Sequence, residues 1–96
     1  MLRPMKYQLA KKFAEIILQY LRSKKGRLTR ISDMCSINRR EFTIEGLSRM
    51  KISRLLVILY AMELELYYDE YEQMVNELRH AFEDFITQYD ALLLTE

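Results

Sequence analysis

Pro4, Gly26 and Gly46 are the only residues in this 96-residue chain that interrupt a helix by their own chemistry. Glycine costs a helix interior about 1 kcal/mol relative to alanine and proline about 3 kcal/mol. A chain that almost avoids both, and draws on Ala, Leu, Glu, Lys, Arg, Met and Gln for much of the rest, is built for helix rather than sheet. The expectation is an all-α fold, and the breakers mark its joints. Pro4 suits the first turn of a helix, Gly26 closes the run Ser23-Lys24-Lys25-Gly26, and Gly46 opens a loop that reaches Met50.

Apolar spacing fills the segments between the joints. Leu9, Phe13, Ile16, Ile17, Tyr20 and Leu21 recur three and four residues apart, which predicts a helix over about 4–23. Ile31, Met34 and Cys35 mark one face of a short helix over about 30–36, with Thr29 placed to cap it. Asn38 and Glu41 stand three apart as in a capping box, so a further helix, about Asn38–Glu45, starts two or three residues after the previous one ends. Ile52, Leu55, Leu56, Ile58, Leu59 and Met62 describe a helix apolar almost all round, which predicts burial at the centre of the domain. Asp69-Glu70-Tyr71-Glu72 repeats the capping-box pattern ahead of a long last helix. Along it Tyr71, Val75, Leu78, Phe82, Phe85, Tyr89 and Leu92 alternate four and three residues apart, a heptad seam.

Two short helices joined by so tight a connection must cross steeply, and the Arg-rich first turn of the second then lies at the surface. The stretch from Arg30 to Met62 resembles the phage-repressor and Cro-type, or XRE-like, helix-turn-helix regulators. Ile31-Ser32 stands where that family has Leu-Ala, Ser36-Ile37-Asn38-Arg39 where it has Gly-Val-Ser-Arg, and Phe42-Thr43 where it has Ile-Ser. Lys51-Ile52, Leu55 and Ala61-Met62 fall on the closing helix at the family spacing. The likeness covers roughly a third of the chain. It departs at Ser36, which replaces the usual turn glycine, and at Glu45, where an apolar residue is usual. The resemblance implies a helix-turn-helix DNA-binding domain over 1–66, of about four helices, with the recognition helix Asn38–Glu45 in the major groove of double-stranded DNA. Arg39, Arg40 and Thr43 would then face the bases, and Thr29, Arg30, Asn38, Arg49 and Lys51 the phosphates.

A net charge of +1 conceals a division. Up to Arg54 there are fourteen Lys or Arg against four acids, whereas from Leu55 onward there is one Arg against ten acids. Such asymmetry is expected of a nucleic-acid-facing half joined to one that avoids DNA, although two opposite halves can also simply attract. Ninety-six residues, half of them apolar, suffice for one modest core.

The acidic helix over 67–96 is expected to pair two copies through Tyr71, Val75, Leu78, Phe82, Phe85, Tyr89 and Leu92, giving a homodimer; folding back on its own domain is the alternative. No apolar run suits a signal peptide or a membrane span, and the single cysteine fits a reducing, cytoplasmic setting. One His, one Cys, no Gly-rich loop and no ligand cluster at metal spacing argue against an enzyme, a metal or a cofactor, and no small-molecule ligand is evident. The expected function is sequence-specific transcriptional regulation. The alternative is a protein-interaction module that uses the acidic last helix.

Overall fold

The first apolar stripe forms the backbone of the molecule. Helix α1, Leu2–Arg22, turns Ala14, Ile17, Leu18 and Leu21 inward at three- and four-residue steps, and all four are buried. The computed structural model describes the backbone of residues 2–95 and the side chains of residues 7–90. After α1 come α2, Arg27–Cys35, a single 3-10 turn at Arg39–Glu41, α3, Ile44–Ser48, α4, Ile52–Glu65, and α5, Tyr68–Thr95. Among the described residues there is no strand, so the fold is all-α with a long C-terminal helix. Helix α1 packs against α3 and α5, and α2 lies on α4.

Glycine at position 26 sets the first reversal. Gly26 sits at φ +83°, the left-handed region open to a residue without Cβ, and α2 begins immediately after it. Thr29 therefore lies inside α2 and does not cap it, which corrects the expected start of this helix. At its other end Ser36 also adopts a left-handed conformation, φ 53°, with the Ser36 and Ile37 N–H groups donating to the carbonyls of Asp33 and Ser32. A side chain there opposes a conformation that glycine takes freely. Ser36→Gly is expected to raise the unfolding free energy by about 0.5–1 kcal/mol in urea titration. Unchanged or lower stability would show that Ser36 is not strained.

The segment expected to form one helix, Asn38–Glu45, does not. Asn38 does cap, its side-chain oxygen accepting the Arg40 N–H at 2.9 Å, but only the 3-10 turn follows. Phe42 then drops into the core at φ −85°, ψ 64°, and Thr43 is extended. Thr43 caps α3 by accepting the Gly46 N–H at 2.9 Å. Two caps five residues apart, each taking a backbone N–H, divide what the spacing reads as one helix. Glu41 closes no capping box; its carboxylate instead takes a two-pronged ion pair from Arg54, at 3.1 and 3.2 Å. Gly46 lies against the Glu41 carbonyl, and a Cβ there would come within 2.9 Å of the Glu41 carbonyl carbon.

Helix α4 is not buried all round. Ile58, Ala61 and Met62 enter the core, while Ile52, Leu56, Val57, Tyr60 and Leu64 are exposed. Helix α5 returns antiparallel along α1: the Tyr20 hydroxyl donates to Glu77, and nearer the chain ends Leu9 and Lys12 lie beside Ala81 and Phe85. At the start of α5, Glu70 reaches back to the Tyr67 N–H, so the box glutamate is Glu70, not Glu72.

The heptad seam is present but in a different phase. Tyr71, Met74, Leu78 and Ala81 form the face packed on the core, Met74 fully buried, whereas Phe82 is exposed. Tyr71 and Leu78 are thus occupied within their own chain. Val75, Phe85 and Tyr89 are half-buried, and Leu92 lies outside the described side chains. Met74 of α5 joins the cluster that holds Ile17 and Ile31, so α5 shares one core with the helices before it. Beyond Ala14 and Leu78, α1 and α5 continue as a two-helix arm, which lengthens the molecule to 47 × 27 × 19 Å.

Candidate nucleic-acid interface

A cationic surface gathers on the turn and loops around α3. Arg39 and Arg40 stand exposed on the 3-10 turn, and Arg39 Nη1 donates to Thr29 Oγ1 at 3.3 Å. On the other side of that turn a basin is lined by Glu41, Gly46, Arg49, Met50, Lys51 and Arg54. Lys51 caps α4 by backbone geometry without a side-chain bond, its carbonyl accepting the Arg54 and Leu55 N–H groups at 3.0 and 3.1 Å. Arg54 is committed to Glu41. Arg40, Arg49 and Lys51 form no ion pair among the described residues.

The residues expected from the sequence are partly brought together. Thr29 and Arg39 touch, and Arg49 and Lys51 share the basin. Asn38 and Thr43 each accept a cap N–H on the side-chain oxygen, which leaves the Asn38 amide and Thr43 hydroxyl hydrogens as the donors they can offer. Arg30 is paired with Glu65 at 3.1 Å, an exposed bridge that costs little to break. Thr43 does not share a helix face with Arg39 and Arg40, because no helix spans 38–45.

Arg27, one of the cations at the exit of the first helix, is withdrawn from the surface entirely. The residue is 1% exposed, and its guanidinium donates to the Tyr20 carbonyl at 2.9 Å, to Ser23 Oγ at 2.8 Å and to both carboxylate oxygens of Glu70 at 3.0 and 2.9 Å. These hydrogen bonds hold the Glu70 carboxyl below the usual carboxylate range, against the opposing effect of burial. Burial, and next the bond to Glu77, push the Tyr20 phenol up to about 12. Cys35 faces the space between α2 and α4, and burial raises its thiol.

No protein-family model, curated protein or solved structure matches the chain. Sequence inspection missed two features of it. One is the Arg27 clasp, for which a lone Arg after a glycine is too weak a signal. The other is the exposed face of α4, which was signalled: a helix apolar on every side in so short a chain cannot be wrapped completely.

Proposed function

We propose that this protein is a DNA-binding regulator whose positive surface, formed by Arg39, Arg40, Arg49, Lys51 and Arg54, engages duplex DNA as part of a homodimer. The observation that carries this reading is the basin between the 3-10 turn and α4. Arg49 and Lys51 converge there at a helix start, and Arg40 stands unpaired close by in sequence. Glu41 is already occupied by Arg54, so Glu45 alone opposes the other four cations of this stretch.

The local backbone supports the helix-turn-helix likeness at one point. Ser36 takes the left-handed turn conformation at the position where the resembled family carries glycine. Base reading is assigned to Arg39 and Arg40 projecting from the turn, Arg to guanine being the commonest specific pair. Thr43 is reassigned from base contact to capping. Thr29 orients Arg39, and Arg30 becomes available for phosphate only when Glu65 lets it go.

Fluorescence anisotropy on a labelled duplex tests the proposal. About four phosphate contacts per chain should give a slope of roughly −3 to −4 per chain in log K against log salt. Arg49→Ala and Lys51→Ala should each weaken every sequence alike, about five- to tenfold, and flatten that slope by about one. Arg40→Ala should in addition relax preference on a selected site. Binding that ignores salt, or none at low salt, overturns the nucleic-acid reading.

A further inference from the structure

The outer face of α4 is the largest feature the nucleic-acid reading leaves unused. Ile52, Leu56, Val57, Tyr60 and Leu64, joined by Met34 across the groove from α2, are between 46% and 73% exposed. At about 200 Å² for a free residue of this size, the six present on the order of 700 Å² of mainly apolar surface. That exceeds the roughly 300–600 Å² of the largest patch on an ordinary monomer. The polar residues on this face are Ser53 and Glu63, so it is closer in composition to a core than to a surface.

We infer that this face is the surface through which two copies of the chain pair, with the α4 helices antiparallel about a two-fold axis at Tyr60. Area decides the class of occupant. Two such faces bury on the order of 1,400 Å², within the roughly 1,200–2,000 Å² of a stable interface. Spacing decides the register. Leu56 and Leu64 lie four residues to either side of Tyr60, so antiparallel pairing sets Leu56 of one copy against Leu64 of the other and Tyr60 against itself, a self-complementary contact.

Charge decides the direction. Parallel pairing would bring the two Glu63 carboxylates together. Antiparallel pairing about Tyr60 parts them, setting each opposite the partner's Val57. The expected seam on α5 cannot take this role unaided, because Tyr71 and Leu78 already pack on the core of their own chain. The inference supplies the pairing surface for the proposed regulator, yet its test involves no DNA.

Sedimentation velocity of the full chain at tens of micromolar should show a dimer. Leu56→Glu with Leu64→Glu should raise the dissociation constant by about 100-fold or more, leaving the helical circular dichroism intact because both side chains are exposed in the single chain. Phe82→Glu, on the exposed side of α5, should leave the dimer unchanged. Tyr60→Cys in a Cys35→Ser background should form a disulfide-linked dimer on mild oxidation, a readout that does not depend on the fold tolerating a buried charge. A monomeric wild type, a dimer broken by Phe82→Glu and not by the α4 pair, or no cross-link through position 60 overturns the inference.

Discussion

Replacing Arg27 with methionine is expected to lower the unfolding free energy by about 3 kcal/mol, a large share of the roughly 5–14 kcal/mol that a domain of this length commands. Methionine fills similar volume, so the loss is of hydrogen bonds and charge rather than of packing. The guanidinium holds the Tyr20 carbonyl at the end of α1, the Ser23 hydroxyl after it and the Glu70 carboxylate at the start of α5. Its removal leaves Glu70, whose side chain is only 26% exposed, as a partly desolvated anion without its partner.

The same substitution should change how stability follows pH. Glu70 has its folded pKa depressed, chiefly by the hydrogen bonds from Arg27. It therefore contributes stability that is present above the ordinary carboxylate pKa and is lost as pH falls through the depressed value. Urea titrations from neutral pH into the acid range should show this decline in the wild type and less of it in Arg27→Met. Adding Glu70→Leu to Arg27→Met should recover part of the loss, since replacing a whole buried pair costs less than orphaning one member. A single variant that loses under 1 kcal/mol, or a pH dependence identical to that of the wild type, would show that the clasp contributes little.

Gly46→Ala is expected to destabilise by about 2–3 kcal/mol, although alanine is the better helix former and intrinsic preference alone would favour it by about 1 kcal/mol. The reason is space. A Cβ at this position meets the backbone of Glu41, which cannot rotate away as a flexible side chain could. Either α3 shifts, pulling Leu47 out of the core, or the 3-10 turn moves and takes Arg39 and Arg40 with it. Thermal unfolding followed by circular dichroism measures the loss, and the sign is decisive. An alanine variant as stable as the wild type would mean that the contact relaxes freely.

Periodicity located α1, α2, α4 and α5 because each is long enough to repeat its pattern, and only their ends moved by a few residues. What failed was the stretch where two caps compete. Asn38 and Thr43 are both good N-cap residues, and spacing alone cannot say that Phe42 between them will turn inward and break the helix there. The seam on α5 was misphased for a related reason. Tyr71, Leu78 and Phe85 belong to both candidate faces, so the choice between Met74 with Ala81 and Val75 with Phe82 rests on which one α1 meets. The cations of the candidate site were visible as residue types. Their division into paired Arg27, Arg30 and Arg54 and unpaired Arg40, Arg49 and Lys51 depends on where the acids of α5, α4 and the 3-10 turn arrive, which no local pattern records.

The antiparallel union of α1 with α5 also orders events during synthesis. Helix α1 is made first, yet one of its two main packing partners begins only at Tyr68, with the 45 residues 23–67 in between. At about 5–20 residues per second, part of the α1 apolar stripe waits roughly 2–10 seconds for its cover. Helix α3 arrives earlier and shields some of it. The growing chain thus passes through a stage in which α1 to α4 are assembling while one flank of α1 remains open, and the arrival of α5 both closes that flank and, through Glu70 on Arg27, fastens it.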